Sequence, residues 1–391
     1  MAAETVFIAA LALLAWIYLL YPALVFALAV IHRKRKIISD NELKTSAPLP
    51  SVSVIMSLFN EEKVIREKIR SLLLSDYPSD LIEFIIGSDA SVDGTDEIIR
   101  EFAASDSRLK YHRNSIRKGK AAMLNELVKM AGGSVLIITD ANVIFSRATV
   151  RLLASEFASA RTGLCDATVV PPESPGHGMT RQENLYTSFE TSLRRAEGEA
   201  WKAMTGPYGG CYAVRRELFP VIPENTLVDD LYVGLTVMHK GFASFNVPDA
   251  VVSEDTQPDP ADQYRRRVRI AAGSFQNLFR FGPFPSARVT ASFAFFSHKV
   301  LRWFTPLFLT LFFMTTVILS GRSDLYFCLL AVQLILILLS TLDLMFDRFG
   351  RTLHLPRYVT QFLLMNAALT AGFVKAVRGI KNGIWEPTKR V

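Results

Sequence analysis

Apolar and polar positions divide the chain into membrane-like ends and an alternating middle. Residues 6–31 (VFIAALALLAWIYLLYPALVFALAVI) carry no charge. At about 1.5 Å per residue this stretch exceeds the roughly 30 Å hydrocarbon thickness of a bilayer, so one tilted span is expected, kinked at Pro22. The run is too long for a secretory signal, and no basic region precedes it. His32-Arg33-Lys34-Arg35-Lys36 follows at once, which places that end in the cytoplasm and the N-terminus outside. Two more uncharged runs, 304–320 and 325–342, are linked by Gly321-Arg322-Ser323-Asp324 and read as a helical hairpin. A shorter run, 361–374, carries Gln361 and Asn366. Spanning there would put Lys375, Arg378, Lys381, Lys389 and Arg390 outside, so a re-entrant or interfacial segment with the C-terminus inside is expected.

From Ser51 the pattern becomes strand, helix, strand, helix. SVSVIM, LIEFIIG, RLKYH and SVLIITD are the expected strands. Asn60-Glu61-Glu62 caps a helix whose inner face carries Val64, Ile65, Ile69, Leu72 and Leu73, and Tyr77-Pro78 ends it. Asp93-Gly94-Thr95-Asp96 opens the next helix, with Ile98, Ile99 and Phe102 inward, and Lys118 to Met130 forms a third. Such spacing predicts an α/β fold with a mixed, mostly parallel sheet and helices on both faces. Ligands bind such sheets at the carboxyl ends of the strands. Asn60-Glu61, Asp89 to Asp93 and Asp140-Ala141-Asn142 fall there. From Ala261 to Phe281, basic positions alternate with Val268, Ile270, Phe275, Leu278 and Phe279, as in an amphipathic helix at the cytoplasmic membrane surface. The expected division is an anchor over 1–36, a linker over 37–50, an α/β domain over 51–256, interface helices over 257–302 and a membrane region over 303–391.

Composition narrows the function. Half of the 391 residues are hydrophobic and 21% are charged, which excludes both a disordered chain and one that is all membrane. The three cysteines, Cys165, Cys211 and Cys328, are far apart, so neither a disulfide framework nor a cysteine zinc site is expected. Cys211 reads as a small apolar filler, and His177 and His239 as structural or surface residues. The net charge is +7, but the basic residues are dispersed or flank membrane segments, which argues against nucleic acid as a partner. No glycine-rich phosphate cradle follows the first strand. The long polar middle and the small number of spans argue against a transporter or channel.

The chemistry rests on acidic clusters and an arginine run. Asp89 and Asp93 lie in SDASVDGT, Asp140 in TDAN and Asp229-Asp230 in LVDDLYVGL, followed by Gln263-Tyr264-Arg265-Arg266-Arg267. Each alone has a plain reading: a helix cap, a turn residue, a helix-dipole partner or a solvated helix face. The neutral loop Gly206 to Tyr212 reads as a tight turn, either ordinary or one that lets substrate approach the backbone. Taken together and in order, the clusters resemble family-2 glycosyltransferases of the GT-A fold, in the membrane-integrated group that includes cellulose, chitin and hyaluronan synthases and ceramide glucosyltransferase. SLFNEE resembles P-x-Y-N-E-E, SDASVDGT resembles D-D-x-S-x-D-G-T, and RKGKAAMLN resembles G-K-A-x-A-x-N. TDAN stands at D-x-D, VDD at T-E-D and QYRRR at Q-x-x-R-W. Two positions depart from the pattern: Asn142 replaces the second aspartate and Arg267 the tryptophan.

The resemblance implies an inverting transferase that uses a nucleotide-sugar, expected to be a UDP-sugar. Asn60, Glu61, Asp89, Asp93 and Lys120 are then expected at the nucleotide, with Asp89 on the base edge. Asp140 and Asn142 are expected at a Mg2+ or Mn2+ ion bridging the phosphates. Asp230 is the expected general base, supported by Asp229, with Gln263, Arg266 and Arg267 facing the diphosphate or acceptor. Polysaccharide or envelope-glycan assembly at a bacterial inner membrane is the expected role, with a homo-oligomer as one way to build an export channel. Two alternatives stay open: transfer of one sugar to a lipid acceptor, and a non-catalytic scaffold that binds nucleotide-sugar.

Overall fold

The computed structural model describes residues 1–36, 48–170, 179–254, 260–347, 349, 353 and 355–384. Most of the expected linker, His177, Lys389 and Arg390 lie outside them. The first apolar run forms α1 (Ala2–Ala15) and α2 (Tyr21–Lys36), joined by a π-helical turn over Trp16–Leu20. Pro22 has no N–H to offer the preceding turn, and the chain answers by widening, with Tyr21 N bonded to Trp16 O. The expected kink is therefore a π turn inside one long apolar helix.

The middle follows as β1 (Val52–Leu58), α3 (Glu62–Leu73), β2 (Ile82–Ser88), α4 (Thr95–Ser105), β3 (Leu109–Arg113), α5 (Lys120–Met130), β4 (Val135–Thr139) and β5 (Val143–Phe145). Then come α6 (Thr149–Ser155), β6 (Thr162–Val170), α7 (Met179–Trp201), β7 (Cys211–Arg215), α8 (Asp229–His239) and β8 (Ala243–Glu254). The eight strands form one sheet in the order β3-β2-β1-β4-β7-β6-β8-β5. β7 runs antiparallel to β4 and β6, β5 antiparallel to β8, and the other pairs are parallel. The central strands β1 and β4 are buried along nearly their whole length because both faces are covered. Val54 and Met56 pack with Ile65 and Ile69 of α3 and Leu153 of α6, while Ile55 and Ile138 meet Leu124 of α5 and Val237 of α8 on the other side.

The remaining elements among the described residues are helices: α9 (Pro260–Phe281), α10 (Val289–Phe295), α11 (Leu301–Trp303), α12 (Thr305–Leu319), α13 (Asp324–Asp347) and α14 (Pro356–Val377). Among the described residues, Ala2–His32, α13 and α14 are long and apolar enough to cross a membrane, and the stretch Val289–Trp303 with α12, bent by 58°, is a fourth candidate if taken as one span. α12 lies antiparallel against α1: the Phe7 and Phe312 rings stack at 5.1 Å, Tyr18 OH donates to Thr305 Oγ1 at 3.3 Å, and Arg322 pairs with Glu4 at 3.5 Å.

α9 differs from a helix that merely rests on a bilayer. Gln276 and Asn277 bond to the 225–228 segment before α8. Its Ala271 and Phe275 face α14. A Cβ on Gly372 would lie 2.4 Å from that of Ala271, so the two helices touch where glycine permits. At the near end of α14, Arg267 Nη1 donates to Gln361 Oε1 at 2.8 Å; past its far end, Asn225 Nδ2 donates to Ile380 O at 2.9 Å. Both ends of α14 therefore meet α9 or the α/β region.

Where α2, α7 and α10–α11 converge, polar side chains are buried and paired. Glu197 accepts from Tyr21 OH at 2.7 Å and from Thr205 Oγ1 at 2.7 Å, and meets His298 Nδ1 at 2.8 Å. Glu190 pairs with Arg302 at 2.8 Å and with Lys299.

Candidate active site

The carboxyl ends of β1, β2 and β4 open onto one cleft, with the N-terminus of α8 across it. At the end of β1, Asn60 takes a left-handed conformation (φ 55°), which an asparagine tolerates. Its N–H donates to Ser91 Oγ at 3.1 Å and its Oδ1 accepts from Val92 N at 2.9 Å. Glu61 N donates to Thr95 Oγ1 at 2.8 Å. Asp93 accepts from Thr95 N at 3.1 Å and from Glu62 N at 3.2 Å. Asn60 and Asp93 thus shape two neighbouring loops. The first turn of α3 is capped by Asp93 from across the cleft rather than by its own side chains.

Asp89 is buried beneath the next loop, with three donors on its carboxylate: Asn114 Nδ2 at 3.1 Å, Lys118 N at 2.9 Å and Gly119 N at 2.7 Å. Gly119 leads directly into Lys120, whose Nζ lies 2.8 Å from Asp140 Oδ1 and 3.6 Å from Asp229 Oδ2. Burial works to discharge Lys120, but Asp140 and Asp229 outweigh it and hold its pKa well above the ordinary lysine value. Burial likewise pushes Asp140 up, yet Lys120 and Arg266 leave it below the ordinary carboxylate range.

Asp229 and Asp230 occupy the first turn of α8. Asp229 is buried, and its Oδ2 has no hydrogen bond among the described residues. Asp230 has its pKa raised to about 6, first by burial and next by the charge of Asp229, despite a 2.8 Å bond from Leu231 N. The 206–210 loop closes over it. Asp140 N and Thr139 Oγ1 both donate to Gly210 O, and Tyr208 N donates to Asp166 Oδ2 at 2.6 Å. Asp166 is itself held by Arg194 at 2.9 Å. A Cβ on Gly209 would stand 2.4 Å from Asp230 Oδ2, so glycine is what lets the carboxylate sit under this loop.

The structure thus gathers Lys120, Asp140, Asp229 and Asp230, with the Asp89 loop adjoining. The QYRRR helix reaches the site unevenly. Arg266 Nη2 lies 3.7 Å from Glu254, Arg267 bonds to α14, and Gln263 Oε1 is buried with no hydrogen bond among the described residues. Asn142 Nδ2 donates to Glu254 Oε1 at 3.1 Å.

The oxygen donors on this turn suit a hard divalent cation, which is typically held by one or two carboxylates and substrate phosphates. No group of three or more His, Cys, Asp or Glu among the described residues is placed to hold a metal by itself. Asp140, Asp229, Asp230 and Glu254 lie among Lys120, Arg266 and Arg269, with Lys68 behind Asp140.

Residues 53–222 match the family described as Glycosyl transferase family 2. The chain is 38% identical over 234 residues to the putative glycosyltransferase EpsE of Bacillus subtilis (strain 168), a match covering 56% of this chain and 76% of EpsE. The chain belongs to glycosyl transferase family 2. This family 2 glycosyltransferase is also 26% identical over 241 residues to the probable glycosyltransferase YdaM of the same bacterium, a match covering 60% of the chain but only 57% of YdaM. Among solved structures, the mannosyltransferase PcManGT from Pyrobaculum calidifontis, in complex with GDP-Man and Mn2+, aligns with a TM-score of 0.71 at 23% identity, over 95% of this chain and 99% of that one. That likeness establishes the GT-A fold.

Several site residues of the glycosyltransferase escaped sequence reasoning. Lys68 is fully buried behind the β4–β5 turn, donating to Thr139 Oγ1 at 2.9 Å and to Val143 O, with Nζ 3.8 Å from the centre of the Phe145 ring. Its signal was a charge on the apolar stripe of α3, three residues after Ile65. Burial lowers its pKa to about 7. Arg269, half-buried with its Nη1 3.2 Å from Leu227 O, follows Arg266 by about one helical turn. Glu254 and Tyr208 carried no local signal. Cys211 is buried as expected, and His239 Nδ1 lies 2.8 Å from Pro285 O.

Proposed function

We propose that this family 2 glycosyltransferase is an inverting membrane enzyme that moves a sugar from a nucleotide-sugar, a UDP-sugar by preference, to a glycan acceptor in exopolysaccharide or envelope-glycan assembly. The observation that carries the reading is Asp230: a carboxylate with its pKa raised to about 6, beneath a glycine loop and beside the Lys120–Asp140 pair. A general base with a pKa close to the working pH can take a proton as a bond forms.

In this reading the acceptor hydroxyl oxygen attacks C1 of the sugar while the C1–O bond to the diphosphate breaks. The proton passes to Asp230, and the nucleoside diphosphate leaves with the bonding pair, inverting C1. Asp229 keeps the base basic through like charge. Lys120 neutralises Asp140 and Asp229. Arg266 and Arg269 offer forked donors to phosphate oxygens. The Asp89 loop holds the nucleotide, with Asn60, Glu61 and Asp93 fixing its walls. Asp140 and Asn142 would hold Mg2+ or Mn2+, which stabilises charge on the departing diphosphate when bound. PcManGT, of the same fold, binds GDP-Man and Mn2+.

A cytoplasmic site fits the basic end of α2, the pairing of Glu4 with Arg322 at the opposite end of the bundle, and the return of α14 to α9. A second acceptor class, a membrane lipid, is favoured by one observation: Leu231, beside the base, shares an apolar cluster with Phe275, Phe295 and Trp303 of the membrane-side helices. The test is turnover of purified protein in lipid with UDP- and GDP-sugars, Mg2+ or Mn2+ and lipid extract, followed by sizing of the labelled product. A water-soluble glycan supports the first acceptor and a singly glycosylated lipid the second. Donor binding without transfer under any condition would sink the catalytic reading of Asp230.

A further inference from the structure

Only one carboxylate, Asp140, stands on the β4–β5 turn, because its companion position is the neutral Asn142. Strand pairing places another acid beside that turn. β5 runs antiparallel to β8 with Val143 opposite Glu254, so the last residue of β8 lies next to Asn142. The Glu254 side chain is only 11% exposed, and two neutral groups fix it: Asn142 Nδ2 on Oε1 at 3.1 Å and Tyr208 OH on Oε2 at 2.5 Å. Each carboxylate oxygen has two lone pairs, so each keeps one for another partner. The only cation within ion-pair distance among the described residues, Arg266, stands 3.7 Å away with half its side chain exposed. The same guanidinium acts on Asp140, so both carboxylates face a common positive charge.

We propose that Glu254 supplies the second carboxylate of the divalent-cation site, taking over the charge that Asn142 does not provide. The proposal rests on the reading of this cleft as the donor site. Asn142 then serves as an orienting group: its amide aims Glu254 while Tyr208, tied through its backbone to Asp166, steadies the other oxygen. Arg266, half exposed and 3.7 Å from Glu254, is the counter-charge that a cation would displace toward the diphosphate. A purely structural Glu254 would instead anchor the start of α9 through Arg266.

The test is Mn2+ binding read by electron paramagnetic resonance of the free ion, on the full-length protein in nanodiscs, alone and with UDP or GDP. Glu254→Gln should weaken binding about tenfold or more, a loss of the size seen when ligands or their supporting groups are removed. Asn142→Asp combined with Glu254→Gln should return it to within about threefold of the parent, because the carboxylate count is restored. Without nucleotide, Arg266→Gln should tighten Mn2+ binding, because it removes a positive charge that faces both carboxylates, whereas a structural anchor would make it mimic Glu254→Gln. Thermal melts confirm folding, and if Glu254→Gln does not fold, Glu254→Asp carries the comparison with an intermediate loss expected. If Asp140→Asn weakens binding and Glu254→Gln does not, the Glu254 assignment fails and the donor-site reading stands. If neither variant matters, both fail.

Discussion

Gly209→Ala places a methyl group against Asp230, the proposed general base. The added Cβ would lie 2.4 Å from Asp230 Oδ2 and 2.9 Å from Asp230 Cγ. An ordinary contact needs about 3.4 Å, so something must move by about 1 Å. The loop cannot retreat easily. Tyr208 N is bonded to Asp166 at 2.6 Å, and Gly210 O is held by Asp140 N at 3.1 Å and Thr139 Oγ1 at 3.0 Å. The carboxylate therefore yields. A misplacement of about 1 Å at a reacting group costs on the order of 100-fold in rate, or about 2.7 kcal/mol of barrier. We expect kcat to fall by about two orders of magnitude, with KM for the donor within about threefold, because the nucleotide loops are untouched. Initial rates of nucleoside diphosphate release at saturating donor give kcat, and a thermal melt shows that the variant is folded. A folded Gly209→Ala enzyme retaining kcat within about threefold would refute the argument that this glycine sets the position of the base.

Other perturbations bear on the same cleft. The acid limb of kcat/KM should show an apparent pKa near 6, and Asp229→Asn should move it down toward the ordinary carboxylate range; a limb that stays in place would detach the two aspartates from each other. Lys68 has a folded pKa of about 7 against about 10.4 unfolded, so between these values the unfolded chain binds more protons and stability rises with pH. The melting temperature should therefore climb above pH 7 in the parent and climb less in Lys68→Met, and parallel curves would contradict this. Arg194→Met leaves Asp166 buried without its ion pair and should cost about 3–5 kcal/mol, with kcat falling as the 206–210 loop loosens; denaturation midpoints read the first and initial rates the second. Chelation of divalent cations should abolish turnover and Mn2+ should restore it, whereas activity persisting in chelator would overturn the metal assignment.

Much of this architecture was legible in the pattern of residues. β1, β2 and β4 are dominated by apolar residues because both faces are covered, and that is what made them readable. The acidic clusters at their carboxyl ends were readable for the same reason, since strand ends locate ligand sites before any contact is known. The second half of the sheet was less transparent. β5 is three residues long and owes its existence to pairing with β8, a partner more than 100 residues away. Glu254 was invisible because its meaning comes only from that pairing. Asn60 and Asp93 illustrate the reverse: their motif positions were evident, but their polar atoms join loop to loop. The 361–374 run was expected to be re-entrant or interfacial; it lies within α14, whose contacts with α9 join Gln361 to Arg267, Gly372 to Ala271 and Phe373 to Phe275, partners that no local pattern reveals.

The buried polar junction between Tyr21, Glu197 and His298 has a consequence for how the chain can be divided. By sequence, residues 1–36 read as a membrane anchor. By contact they are a wall of the enzyme: Val25 and Ala29 cover Leu193 and Ala196 of α7, and the Tyr21 hydroxyl meets a carboxylate that has no access to water. Trimming the tether to obtain a soluble catalytic fragment would open a greasy seam and strip a donor from Glu197 in the same cut. Because α7 also carries Arg194, which holds Asp166 and through it the loop over Asp230, damage at the tether would propagate to the base. For this protein, modularity ends at the bilayer: anchor and catalyst are one folding unit, to be expressed, purified and engineered together.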